Sequence, residues 1–254
     1  MKFALLLAAT CAVLAPSARA EDDPAVTPYR PTVSSPAALS APGWVELEGG
    51  GLQQRGPGDA RRTSVPLTLK LAFTPDVGVV LGGEGWVRQS EGGTAQSGGG
   101  DTTLVLKQRF ALDEQRAFGL ELGTKFPTAS RAIGSGEHDW SANGIYSADF
   151  AAGWHTDINL NETRQGAPAG QHAAWQAGWA ASLSRALNDD WGAAGELSGT
   201  HLAGSAPTAQ LLFAGSYNAS KAAVLDFGIA KGLNRETPHA QVFVGGTFRI
   251  GKLF

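Results

Sequence analysis

Apolar and polar residues alternate along this chain in twelve stretches, at residues 43–53, 62–73, 77–89, 101–112, 117–127, 139–151, 154–164, 174–187, 191–201, 207–218, 222–233 and 239–250. A period of two is the mark of a strand whose two faces meet different surroundings. Phe118, Leu120, Leu122 and Phe126 alternate with Gly119, Glu121, Gly123 and Lys125. The same split sets Val65, Leu67, Leu69, Leu71 and Phe73 against Thr68 and Lys70, and Leu104, Leu106 and Phe110 against Thr103, Lys107 and Arg109. It recurs in Trp154, Ile158 and Leu160 against His155, Asp157 and Asn159. The connections run 8, 3, 11, 4, 11, 2, 9, 3, 5, 3 and 5 residues, so short and longer gaps alternate. That rhythm predicts an all-β chain. Its fold class is a membrane-spanning antiparallel up-and-down β-barrel of about 12 strands over residues 43–254, with short turns on one rim and longer loops on the other.

A soluble sandwich alternates too, with its apolar face inward. Two features favour the membrane. Trp44, Trp86, Trp140, Trp154, Trp175 and Trp191 fall near expected strand ends, where aromatic girdles meet the interfaces, and Trp179 alone sits mid-strand. At the C-terminus Val242, Val244, Phe248, Ile250 and Phe254 share one parity, with Gly246 and Lys252 interrupting it. This resembles the terminal signal by which the barrel assembly machinery recognises Gram-negative outer-membrane strands, and it names that machinery as an expected partner through Phe254. Beyond the leader, the chain has no run of 18 apolar residues, which excludes a helical membrane protein.

The leader itself reads as an export signal. Lys2 precedes an apolar run from Phe3 to Ala15, and Ala18-Arg19-Ala20 supplies a small-x-small cleavage site, so residues 1–20 are expected to be removed. The run is too short for a spanning anchor. Cys11 raises a lipoprotein alternative, but Ala8-Ala9-Thr10 lacks the usual approach, and cleavage at Ala20 leaves no cysteine for a disulfide. Residues 21–42 carry Pro24, Pro28, Pro31, Pro36 and Pro42, each of which lacks a ladder donor, so this stretch is expected to be a linker or lumen-entering segment, placed at the periplasmic rim.

Composition refines this picture. Thirty-four glycines, 17% charged residues and a formal net charge of −3 do not suit a nucleic-acid partner. They do suit a barrel, whose alternate residues face lipid and water. No catalytic or metal motif appears: His138, His155, His172, His201 and His239 stand apart, and neither HExxH nor CxxC occurs. An outer-membrane lipid hydrolase would need a converging His and Ser. The nearest approach, Ser198 and Thr200 with His201, splits between the two faces. Gly98-Gly99-Gly100-Asp101 and Gly134-Ser135-Gly136 lack the Lys-Ser/Thr sequel of a phosphate cradle, and Asp101, Glu137 and Asp139 lack calcium-loop spacing. No cofactor is expected.

Several segments together resemble the outer-membrane transporter family named for the MetA-pathway of phenol degradation. They are Tyr29-Arg30-Pro31-Thr32-Val33-Ser34, Pro42-Gly43-Trp44-Val45-Glu46-Leu47-Glu48, Gly100-Asp101-Thr102-Thr103-Leu104-Val105-Leu106-Lys107, Lys125-Phe126-Pro127-Thr128, Gly134-Ser135-Gly136, and Asp226-Phe227-Gly228 with Gly232-Leu233. Gly251 to Phe254 depart from a Tyr-Arg-Phe ending. The resemblance implies a barrel in the Gram-negative outer membrane that passes aromatic or other hydrophobic compounds.

The expected function is passive diffusion of small solutes. The pore-lining candidates are Glu46 and Glu48 on the first strand, Lys70 on the second and Glu84 on the third. Lys107 and Arg109 on the fourth and Glu121 and Lys125 on the fifth complete the set. Such a mixed ladder either sets ion preference or pairs within a packed plug. The alternative functions are a structural or adhesive surface barrel without transport and a lipid hydrolase.

Overall fold

A computed structural model describes residues 23–254; the expected signal peptide and the first two residues of the Pro-rich segment lie outside the described residues. The strands are β1 Trp44–Arg55, β2 Arg61–Ala72, β3 Val77–Glu91, β4 Thr94–Gly98, β5 Thr102–Ala111, β6 Arg116–Phe126 and β7 Asp139–Phe150. They continue as β8 Trp154–Gln165, β9 Ala174–Ala186, β10 Trp191–Leu202, β11 Thr208–Ser220, β12 Ala223–Gly232 and β13 Ala240–Lys252. Neighbours pair antiparallel in chain order, except that β3 pairs with β5 and carries β4 on its outer end. β1 pairs with both β2 and β13, so twelve strands close into a barrel without an edge. Closure pairs each of the twelve wall strands on both sides, as lipid requires, while β4 pairs on one side only.

The facing assignments follow the alternation. Outward positions such as Leu160, Val244, Phe227, Ile229 and Leu122 are 43% or more exposed, whereas Glu46, Glu48, Lys70 and Lys107 are at most 2% exposed. An apolar outside and a charged inside invert the soluble pattern and match a wall set in lipid.

Three expectations change. The gap after the third stretch holds β4, because Gly92 and Gly93 both take positive φ (57° and 79°) and close a two-residue hairpin turn, a conformation glycine adopts without a Cβ penalty. β3 therefore runs to Glu91 and leaves Trp86 inside the strand. Trp44, Trp154 and Trp191 begin strands at the short-turn rim, and Trp140 and Trp175 lie one residue into theirs at the long-loop rim. Pro66 interrupts β2 at a bulge that leaves Gly85 of β3 unopposed, consistent with its missing N–H.

The third change concerns the Pro-rich segment. It does not stay at the rim: it enters beside the β11–β12 turn, where the Val26 N–H donates to the Lys221 carbonyl (2.9 Å), and passes through the lumen before β1 begins. The physical reason is in the wall, which supplies the acceptors that this strand-incompetent segment needs.

Candidate functional site: the lumen and its N-terminal strap

Residues 23–42 form a strap that follows the inner wall around its short-turn half, held by side chains of the barrel. A buried backbone donor must find an acceptor, and proline-broken chain cannot find one in a ladder. On β1, Glu46 accepts from the Thr27 N–H (3.1 Å) and Glu48 from the Tyr29 N–H (2.7 Å). On β12, Asp226 binds the Arg30 guanidinium through two parallel contacts of 2.9 and 2.7 Å, the geometry that makes Arg–carboxylate pairs directional. Arg30 fits there because Gly245 of β13 has no side chain: a Cβ would stand 2.7 Å from Nη2.

The strap then crosses to the opposite wall. Glu196 of β10 accepts from the Val33 N–H (3.1 Å), the Ser34 N–H (2.7 Å) and the Ser34 hydroxyl (2.9 Å). Asn159 of β8 accepts from the Ser35 N–H (2.8 Å) and donates to the Ser35 carbonyl (2.9 Å). Ser147 of β7 accepts from the Ala37 N–H (2.8 Å), and Lys107 of β5 donates to the Pro36 carbonyl (2.6 Å). At the entrance, Arg249 pairs with Asp23 (2.8 Å) and donates to the Pro24 carbonyl.

Two contacts brace the strap across its own loop: Thr27 Oγ1 donates to the Leu39 carbonyl (3.2 Å) and the Tyr29 hydroxyl to that of Ala38 (3.0 Å). The Tyr29 ring lies 4.3 Å from Lys70 Nζ and 4.0 Å from Lys107 Nζ, a double cation–π contact inside the barrel. Lys70 in turn pairs with Glu46 (2.9 Å) and Glu48 (2.6 Å), and donates to the Thr27 carbonyl.

The structure divides the eight candidates. Glu46, Glu48, Lys70 and Lys107 sit at the level of the strap and hold it. Glu121 pairs with Lys107 (2.8 Å) and accepts from Asn143 (2.9 Å). Arg109 reaches Asp76 at the short-turn rim (3.3 Å). Glu84 and Lys125 stand toward the long loops, Glu84 with Arg62, and Lys125 with Asp139 (2.8 Å) and Asp101 (3.6 Å). Sequence reasoning placed Asn159 on the polar face of its strand but named neither it nor Asp226 and Glu196 as site residues, and it missed Arg30 and Tyr29 as partners of the wall. The first three carry the same signal as the residues that were found, polar positions alternating with Leu225, Phe227, Leu197, Ile158 and Leu160. That a distant segment would bind them has no local signature.

Space remains on both sides of the strap. Below it a cavity of about 290 Å³ is lined by Pro28, Pro31, Pro36, His155, Asp157 and Ser182. Toward the long loops a second, of about 460 Å³, is lined by Arg62, Glu84, Asp101, Thr103, Lys125 and Gly134. The latter lies beside the 127–138 loop, tied down where the Ala129 N–H donates to Asp101 (3.0 Å) and Gln89 Nε2 donates to the Ala132 carbonyl (2.7 Å). One inner wall is softer: Leu52, Leu212, Ala214, Ala230 and Phe243 form an apolar cluster, and nearby Gln54, Gln241, Gln210 and Ser198 are chained by amide hydrogen bonds. Ser198 takes part in that chain and Thr200 bonds Thr208, while His201 is exposed on the outer face. Among the described residues no group of three His, Cys, Asp or Glu is placed to hold a metal ion.

Residues 47–250 match the family profile described as the MetA-pathway of phenol degradation. Among solved structures, an outer membrane channel from Pseudomonas putida aligns with a TM-score of 0.66 at 14% identity, over 84% of this chain and 98% of that one. The NanC porin aligns at 0.58 and 11% identity, over 81% of this chain and 100% of that one. A CymD monoaromatic hydrocarbon channel aligns at 0.50 and 11%, over 84% and 90%. No curated protein matches. These likenesses carry the barrel fold.

Proposed function

The chain belongs to the MetA-pathway of phenol degradation family, and from that we propose that it is a Gram-negative outer-membrane channel for passive diffusion of small solutes, aromatic and other hydrophobic compounds among them. The carrying observation is a closed barrel with a lipid-compatible outside, whose lumen is crossed by a strap that makes no strand ladder. Contacts that are mostly to side chains, with one backbone bond from Val26 to Lys221 at the entrance, can hold a constriction and release it without breaking the wall. Glu84, Lys125, Arg62 and Asp101 line the mouth side of the path. Glu46, Glu48, Lys70, Lys107 and Glu121 act through the strap, and Arg109 lies at the periplasmic exit. The apolar cluster of Leu212, Ala230 and Phe243 is at most 9% exposed, with Arg30 of the strap over the Phe243 ring (5.9 Å), so release of the strap would uncover an apolar surface for a solute. The likeness to the CymD monoaromatic hydrocarbon channel agrees with this solute class.

The second reading is a barrel without transport, and one observation favours it: the strap buries Lys70 and Lys107 to 1% and 0% exposure. Single-channel recording of refolded protein separates the two. A conducting barrel supports the channel, and uptake of small aromatic acids into vesicles defines its solutes. Protein that is folded in the bilayer yet neither conducts nor admits solute refutes it.

A further inference from the structure

The strand cations divide by where they point. Those facing the lumen, Arg62, Lys70, Lys107, Arg109, Lys125 and Arg249, are each in an ion pair. Those facing outward at the short-turn rim also have partners: Arg116 with Asp113 and Arg185 over Trp154. At the long-loop rim the outward cations are different. Arg55, Arg61, Arg88, Arg164 and Lys231 are exposed, and among the described residues none of them is in an ion pair or over a ring.

All but Arg164, which stands apart on β8 between Trp140 and Trp175, form one arc. Lys231 of β12 stands opposite Ala240 of β13, Ala240 opposite Arg55 of β1, and Arg55 opposite Arg61 of β2. Arg61 faces Ser90 of β3, and Arg88 lies two residues back on that strand, opposite Thr63. Like charges directly opposite each other on one sheet face repel, so the Arg55 and Arg61 pair costs stability unless an anion lies between them. The acids nearby do not serve: Asp59 accepts from the Gly92 N–H (3.2 Å), and neither it nor Glu91 is in an ion pair with the arc. The arc sits just beyond the exposed apolar residues Val65, Trp86, Ile229 and Val242, at the level where a leaflet's headgroups begin.

We propose that this arc docks the phosphate groups of a lipid in the leaflet at the long-loop rim, which in an outer membrane are those of lipid A in lipopolysaccharide. The proposal rests on the outer-membrane reading above. Phosphate suits it because the guanidinium fork meets two phosphate oxygens at once, and the two opposed arginines can share one group. A lipid source suits it because the arc lies on the lipid-facing side of the wall, away from the lumen. Each cation near an anionic surface adds about fivefold in affinity, so losing two weakens binding about thirtyfold.

The test uses full-length protein recovered from membranes and placed in phosphatidylcholine vesicles. The probes are lipid A with its phosphates, lipid A stripped of them, and inorganic phosphate. The readout is the temperature at which the folded form is lost on a detergent gel. Phosphorylated lipid A should raise that temperature in the native protein and the other two probes should not. Arg55→Gln with Arg61→Gln should need about thirtyfold more lipid A for the same rise, while Arg116→Gln at the other rim keeps the native dose. Should the first pair fail to fold, Arg88→Gln with Lys231→Gln tests the arc from its flanks. Unchanged affinity in the variants, or an equal response to stripped lipid A or inorganic phosphate, overturns the proposal. Conductance is read on the same samples: a conducting barrel indifferent to lipid phosphate overturns the arc alone, and a lipid response without conductance upholds the arc and removes the transport reading.

Discussion

Glu196→Ala separates the strap from the wall. The Glu196 carboxylate is 2% exposed and is the acceptor for both the Val33 and Ser34 backbone N–H groups at the strap's far turn. Alanine leaves two donors without a partner; the Ser34 hydroxyl can rotate and is not counted. A stranded buried donor costs about 1–3 kcal/mol, so the attachment loses roughly 2–6 kcal/mol. The lower figure already raises the detached population about thirtyfold. The barrel should be nearly indifferent, because Glu196 contributes its backbone to the ladder and not its side chain. The expected result is a folded, heat-modifiable barrel with larger or flickering conductance and new protease cleavage near residues 31–38. Glu196→Gln retains one oxygen acceptor and should fall between the two. A variant with native conductance and native protease resistance would show that the strap is held elsewhere. One that fails to fold would show that strap and wall form a single cooperative unit.

Leu122 is 51% exposed on the outer wall, so Leu122→Arg should cost about 2–4 kcal/mol near the bilayer midplane and impair folding into vesicles. Gly123→Arg points inward, where the nearest atom to a new Cβ is the mobile Ser141 hydroxyl at 2.6 Å, and it should be tolerated better; equal losses would refute the facing. Tyr29→Phe keeps the ring between Lys70 and Lys107 and loses only the hydroxyl's bond to the Ala38 carbonyl, so it should increase strap release less than Tyr29→Leu, which removes that bond and both cation–π contacts, as read by the same protease assay. At the β5–β6 turn, Asp113 accepts a 2.7 Å hydrogen bond from Arg116 Nε, with the Gln115 and Arg116 backbone donors adding to it, and these hold its carboxyl below the usual range. A depressed folded-state value stabilises the turn above the unfolded carboxyl's range and is lost only as pH falls through the lower value. Proton NMR of that turn should therefore be unchanged from neutral pH down to the ordinary carboxylate range, and a transition above that range would refute the pairing.

The chain's alternation was enough to specify twelve wall strands, their order, the side most residues face and the two rims. In a barrel those are local properties: each wall strand pairs with its neighbour, and parity assigns side chains to lipid or lumen except past a bulge, as at Gly85, where Glu84 and Trp86 share parity but face opposite sides. The same parity marked Glu46, Lys70 and Lys107 as interior. It also marked β1 and β13 as terminal strands, though only the tertiary structure shows their closure. What lay beyond local pattern was the meeting of residues far apart in the chain. Arg30 and Asp226 stand 196 positions apart, and Ser34 and Glu196 stand 162 apart. Five prolines said that residues 21–42 could not be a strand, but not where their backbone donors would be satisfied. The lumen decided that, because a buried carboxylate and an unladdered N–H are each costly alone and compatible together. The unpaired outward arc was hidden for the same reason: Arg55, Arg61, Arg88 and Lys231 are unremarkable in sequence until register sets them in one row.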